Sequence, residues 1–298
     1  MNLGYACINT ALSANKIMTN RTMRRKTFDA KGIDYVSDLA LLNVKDLKTI
    51  VQWNNEMKIK LFRLSSQIFA WSDEYKLSDL KDYDEICSMM LEIGKIATDA
   101  NQRLTMHPGP YNCLASPNQK VVEKTIRELN CHSEQFNMLG FKPSNYNKIN
   151  IHVGGAYGDK KGTLERFCKN FELLNDDTKK RLVIENDDSP NEYSVKDLFD
   201  GIYQTIGIPI TFDYFHHKFN TGGLTEEEAL KMAAITWPEG IAQCCHYSES
   251  RRKEKLDESI RPQAHSDIIY EKIQTYGLEP DIVIEAKLKE QAIFKRVI

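Results

Sequence analysis

The chain has 298 residues, 41% of them hydrophobic, and a formal net charge of −2, so it has ample material for a core and its charge alone implies no nucleic-acid partner. No apolar run approaches a membrane span, and no Pro/Gly/Ser-rich linker divides the sequence, so one soluble domain over residues 1–298 and no membrane contact are expected. The seven cysteines are odd in number and form no CxxC pair; with no basic leader or secretory apolar stretch at the start, reduced thiols and an intracellular protein, in cytoplasm or nucleus, are expected.

Apolar runs and helical segments alternate along the chain. The first run is Leu3-Gly4-Tyr5-Ala6-Cys7-Ile8, followed by a basic knot at Arg21, Arg24, Arg25 and Lys26. Residues from about 32 to 58 read as two short helices, with Val36, Leu39 and Ala40 and then Leu47, Ile50 and Val51 on their apolar faces. A second run, Lys60 to Ser66, precedes a helical stripe of Ile86, Met89, Met90, Ile93 and Ala97, which reads as core packing.

A third run ends Thr105-Met106-His107, and Ser116-Pro117-Asn118-Gln119 reads as a capping box opening a helix through Leu129. Runs ending at His152 and Glu185 are followed by expected helix caps at Thr163 and Ser194. The run Ile210 to Asp213 is followed by the capping box Thr225 to Glu228. Gln243 to His246 leads into a second basic segment from Arg251, and Ile282 to Glu285 is the last run.

Eight strand and helix repeats in a chain of this length predict a TIM (β/α)8 barrel, whose chemistry sits at the carboxyl ends of its strands. Six of the runs end in a residue that can ligate a metal. A lone histidine at a strand end is more often a hydrogen-bonded structural residue than a ligand. Six convergent ionisable groups are different, because burying them together is costly unless a cation compensates them.

His107, His152, Glu185, Asp213, His216, His246 and Glu285 supply nitrogen and oxygen donors for a divalent cluster of about two or three ions. Mixed donors suit manganese or zinc better than magnesium or calcium. Clustered ions polarise a phosphoryl group, lower the pKa of water and steady a leaving oxygen, so phosphodiester hydrolysis is the leading chemistry. A metal-dependent sugar isomerase or epimerase on the same barrel remains open from the residues. The two basic segments, if both are loops over one mouth, would hold phosphates.

The stretches Leu3-Gly4-Tyr5-Ala6-Cys7, Phe62-Arg63-Leu64-Ser65-Ser66, Met106-His107-Pro108-Gly109, His152 to Lys160, Glu185-Asn186-Asp187-Asp188, Asp213 to His217, His246 to Ser250 and Glu285-Ala286-Lys287 resemble those of the UV damage endonuclease family. The resemblance runs from the first strand to the last. It implies a TIM barrel related to apurinic-site endonucleases and xylose isomerases, with a manganese-preferring cluster. It also implies nicking of duplex DNA 5′ to cyclobutane pyrimidine dimers and 6-4 photoproducts, an abasic-site activity being the nearest alternative. The seven donors above fall on family ligand positions, and His265 resembles a further site histidine, a ligand or proton-transfer group. Glu185, His265 and Lys160 are the expected catalytic residues. Tyr5, Asn9, Arg21, Arg24, Arg25, Lys160 and Arg251 are the expected DNA contacts, with Tyr5 inserting near the lesion. The expected assembly is a monomer on UV-damaged double-stranded DNA.

Three departures from the family pattern stand in this chain. Pro110 replaces the glutamine of His-Pro-Gly-Gln. After Ser66, where the family supplies a histidine ligand, the chain reads Ala70-Trp71-Ser72-Asp73-Glu74, so Glu74 is the expected substitute donor. Cys244 stands where the family tends to carry a lysine two residues before the histidine of the seventh strand.

Overall fold

In the computed structural model, which describes residues 1–295, the expected eight strands are all present and parallel. They are β1 (Leu3–Ala6), β2 (Leu61–Leu64), β3 (Arg103–Met106), β4 (Ile149–Ile151), β5 (Leu182–Glu185), β6 (Ile210–Thr211), β7 (Cys244–Tyr247) and β8 (Asp281–Ile284). Sequential strands are neighbours, β1 pairs with β8, and a parallel bridge from Asp213 to His246 joins β6 to β7 and closes the ring. This is the TIM-barrel topology, with the crossover helices outside.

Strand alternation sorts every side chain to one of two layers. Leu61, Val183, Cys244 and Val283 meet inside the barrel with Ala6, while Tyr5, Phe62, Leu64, Leu104, Ile149, Ile151, Ile184, Ile282 and Ile284 join the larger core between barrel and helices. Gly4 faces the crowded interior, where an added Cβ would lie 2.1 Å from the Leu61 carbonyl oxygen. At the amino-terminal end of the barrel the buried Arg103 pairs with Asp281 at 3.1 Å and donates to the carbonyls of Tyr146 and Ala242.

The helices differ from expectation in three places. Instead of two short helices, residues 33–56 form one uninterrupted helix, preceded by two turns from Arg25 and offset from them at Gly32, whose φ of 64° only glycine adopts cheaply. Its buried face carries Val36, Ala40, Val44, Leu47, Ile50 and Val51, a sustained helical period that removes any need for a break.

The helix expected from Ser116 instead runs Gln119–Met138 and is capped by Asn118, whose side chain accepts from the Lys120 amide; Ser116 Oγ accepts from the Asn118 amide one turn earlier. Thr163 lies within the helix Lys160–Phe171, which Asp159 caps through the Gly162 amide. Ser194 and Thr225 cap as expected, each in a reciprocal box with Asp197 or Glu228. The stripe of Ile86, Met90, Ile93 and Ala97 is buried on the helix Tyr83–Asp99.

Candidate active site

His107, His152, Glu185, Asp213, His246 and Glu285 sit within two residues of the carboxyl ends of their strands and His216 on the turn after β6, so barrel closure brings them to one mouth. Glu185, the last residue of β5, is at the centre. Its Oε2 lies 3.2 Å from His107 Nε2 and 3.7 Å from His152 Nε2, while its Oε1 lies 3.0 Å from His246 Nδ1 and 3.5 Å from His216 Nδ1. Two groups with metal-ligand spacing result, His107 with Glu185 and His246, and His152 with Glu185 and His216. Both share the one carboxylate.

The surroundings hold these groups in place. His152 Nδ1 stands 2.8 Å from Asp187 Oδ1 without hydrogen-bond alignment, and His216 Nδ1 donates to the Asn186 carbonyl at 2.9 Å. Asp213 caps the turn Tyr214–His217 through Oδ1, which accepts from the amides of Phe215 and His216, while its buried Oδ2 has no partner. A buried carboxylate oxygen with no hydrogen-bond partner, on a residue next to the His216 imidazole, is a donor that a cation would satisfy. The residues present therefore fit a divalent metal.

Electrostatics agree with that reading. Burial alone would depress His152 and His216, yet Glu185 and Asp187 lift His152 to about 10, and Asp213 with Glu185 lifts His216 to about 9. Burial, aided by the nearby Lys148, lowers His246 to about 3. Burial also raises the Asp213 carboxyl to about 7, and Glu185 is held well below the carboxylate range by His246 and His152 in spite of its burial. Perturbation of this density marks a functional site.

The remaining expected site residues fall into two sets. Glu285 reaches the cluster, 3.4 Å from His246 Nδ1, but its Oε1 is already bound by the Arg63 guanidinium and it belongs to neither triad. His265 stands behind it, Nδ1 3.1 Å from the Glu285 carbonyl and 3.7 Å from Oε2, so it adjoins the cluster through that residue.

Others are not brought to the mouth. Tyr5 is 0% exposed and donates to Asn54 Oδ1 at 2.8 Å, because its place in β1, level with Phe62 and Ile284, points it outward under the helix 33–56. Asn9 is buried with it, bonding the Tyr5 hydroxyl and capping the turn Thr10–Ser13. Both side chains are buried there and bonded to each other. Glu74 is gathered into neither triad and instead forms an ion pair at 2.7 Å with Arg25, which also holds Asp29.

Arg21 is tied down by Asp46 at 2.6 Å and by the carbonyls of Lys16 and Met18. Arg251 opens a short helix, Arg251–Lys255, facing Asp267 at 3.9 Å. Arg24 is exposed and free of ion pairs among the described residues. Lys160 lines a recess of about 600 Å³ with Tyr157, Pro190 and Glu192, its Nζ bonded to the Pro190 carbonyl and near Asp197, and it belongs to neither triad.

Residue-type reading missed several partners. Arg63 and Asp187 lie within motifs already quoted for the resemblance, but an arginine in a strand and a second acid after a ligand carry no metal signature. Asn150 and Lys148, inward-facing polar residues two and four before His152, were legible from strand parity as polar groups on the ligand's own face. Tyr111, beside Pro110, is 89% exposed on the loop after β3, at the edge of a recess of about 310 Å³ that also takes in Met23, Trp71 and Lys124.

Comparison with known proteins bears directly on this mouth. The family model for UV-endonuclease UvdE matches residues 1–297. The UV-damage endonuclease of Schizosaccharomyces pombe is 38% identical over 98% of this chain, and the UV DNA damage endonuclease of Clostridium perfringens is 32% identical over 99%. The chain spans 49% of the length of the former and 69% of the latter. The crystal structure of SacUVDE superposes with a TM-score of 0.84 at 30% identity, covering 98% of this chain and 95% of that one. A D-psicose 3-epimerase from Clostridium cellulolyticum H10, TM-score 0.55 at 12% identity over 96% of this chain and 85% of that one, shares the barrel alone. A match along nearly the whole chain, to proteins whose barrel superposes on this one, shows that the chain belongs to the UV-endonuclease UvdE family.

Proposed function

We propose that this protein is a metal-dependent DNA repair endonuclease that hydrolyses the phosphodiester on the 5′ side of UV photolesions in duplex DNA. The observation that carries the reading is Glu185, one carboxylate within 3.7 Å of four imidazole nitrogens at the barrel mouth. His107 and His246 on one side, and His152 and His216 on the other, would each hold a divalent cation with it, and Asp213 Oδ2 is free to join. Manganese is the favoured ion, with about two or three bound and zinc the alternative. Such cations supply Lewis-acid polarisation of the phosphoryl oxygens and a lowered pKa for an attacking water.

The chain's own groups then orient and move protons. Arg63 holds Glu285 in line with His246, and His265, hydrogen-bonded at Glu285, is placed to pass a proton between the cluster and solvent. The lesion must leave the stack to be read, and photodamage lowers that cost. Tyr111 offers an exposed ring for a displaced base, and Arg24, Lys26 and Lys253 offer cations to flanking phosphates. Lys160, on its separate recess, would meet the backbone farther out. The reading implies work on DNA inside a cell, as a monomer.

The test is cleavage of UV-irradiated and undamaged duplexes with added manganese. Selective nicking of the irradiated duplex, abolished by a chelator, is expected, and Glu185→Gln should cut activity by more than about a hundredfold with the fold intact. Equal cutting of both duplexes would remove the lesion claim, and metal binding without any cutting would turn the reading toward sugar chemistry.

A further inference from the structure

Beneath the cluster lies a lysine that the chemistry above does not use. Lys148 precedes β4 and is fully buried, pointing into the barrel with Asn150 and His152 on the same face of the strand. Its Nζ lies 2.8 Å from Thr211 Oγ1, 3.1 Å from Asn150 Oδ1 and 3.2 Å from His246 Nε2. Asn150 Nδ2 in turn donates to Glu185 Oε2, and Glu185 Oε1 meets His246 Nδ1 at 3.0 Å. Lysine, asparagine, glutamate and histidine thus close a ring of contacts.

We infer that Lys148 is the positioning residue of the metal centre, setting the orientation of Glu185 through Asn150 on one side and His246 on the other. The inference rests on the metal reading above. Each link follows from donor and acceptor chemistry. An amide flip at Asn150 would set its NH2 against the lysine donor and its oxygen against a carboxylate, so Lys148 dictates which end faces Glu185. Lys148 also covers Nε2 of His246, so that imidazole turns its Nδ1 edge to Glu185 Oε1. Both oxygens of Glu185 are therefore located from one buried amine. Thr211, the last residue of β6, holds that amine in turn.

The amine enters the barrel from β4, and β7 adds the Cys244 thiol beside His246 to the same interior space. A buried polar network of this kind is costly unless every member is paired, and here the partners of Lys148 are complete. Their common product is the placement of one carboxylate between two triads.

The test measures manganese binding to the full-length, chelator-stripped protein, read from the resonance signal of the free ion, alongside steady-state cleavage. Lys148→Met removes the amine at similar length. It is expected to weaken manganese binding by about tenfold to a hundredfold and to lower kcat with KM for the damaged duplex unchanged, with a native circular dichroism spectrum. Asn150→Ala cuts the same ring one link on. The double variant should be no worse than the poorer single one, because one ring is broken in each case.

A folded Lys148→Met protein with wild-type manganese affinity overturns the inference, as do losses that simply add in the double variant. Should Lys148→Met fail to fold, Asn150→Ala with wild-type affinity overturns it equally. Wild-type protein that takes up no manganese would instead overturn the metal reading beneath it.

Discussion

At the scale of single residues, the imidazoles of His152 and His216 carry the clearest consequence. Their pKa values are raised to about 10 and about 9 by the carboxylates around them, so in metal-free protein near neutral pH both are charged. Folded values above the ordinary one near 6.5 add stability that is fully present below that pH and is lost as the pH climbs through 9 and 10. A cation must displace those protons to bind. Manganese binding at pH 7.5 should therefore release about two protons and tighten as the pH rises. Calorimetry in buffers of different ionisation enthalpy checks this, and heats that do not change with the buffer would refute it.

The same scale shows how residue type was informative and direction was not. Histidines and acids at strand ends were readable as ligands. Arginine at position 21 was readable only as a charge, and its guanidinium is spent on Asp46 and two carbonyls. The local sequence gives no sign of that, because Asp46 lies on the next helix.

Elements decide which of two aromatic residues is open to solvent. Tyr5 belongs to a strand whose odd positions face the helices, and its hydroxyl is bonded at both ends of its reach, to Asn54 and Asn9. Tyr5→Phe should cost about 2 kcal/mol of stability, the usual value of two buried hydrogen bonds, and leave cleavage unchanged; thermal melts and a nicking assay measure both. A large loss of activity at full stability would restore Tyr5 to the interface.

Tyr111 lies on a loop rather than a strand and is open to solvent. Tyr111→Ala should weaken binding of irradiated duplex by roughly tenfold to a hundredfold, the worth of one stacked base, and leave manganese affinity as it was. Fluorescence anisotropy with damaged and undamaged oligonucleotides tests this, and equal affinity of variant and wild type for the damaged duplex would rule out the stacking role. The element scale also explains the misplaced helix caps. Asn118 caps from an extended backbone and Asp159 from a non-helical one, whereas Thr163 lies inside the helix it was expected to cap and Ser116 lies two residues before the cap.

For the molecule as a whole, the distribution of charge matters more than its sum. The two basic segments follow β1 and β7 in the chain, but acids from neighbouring elements already pair most of their charges: Asp29, Asp46, Glu74, Glu258 and Asp267. Exposed pairs of this kind are weak, and phosphates can compete for some of them. The free cations Arg24, Lys26 and Lys253 set a modest floor. The logarithm of DNA affinity should thus fall with the logarithm of salt at a slope near about −3, from roughly three phosphate contacts. A slope steeper than about −8 would mean a much larger cationic interface.

From residue order alone came the alternation of strands and helices, hence the barrel, and the identity of the strand-end donors, because backbone period and ligand type are local properties. Only the closed barrel decided which donors come together and which are already bound, as when Glu185 meets four imidazoles while Glu74 is taken by Arg25. It also decided that Tyr5 lies under a helix and Lys148 under the cluster. Distances between strands far apart in sequence are set by closure of the sheet and by packing of the layer around it, and no stretch of neighbouring residues contains them.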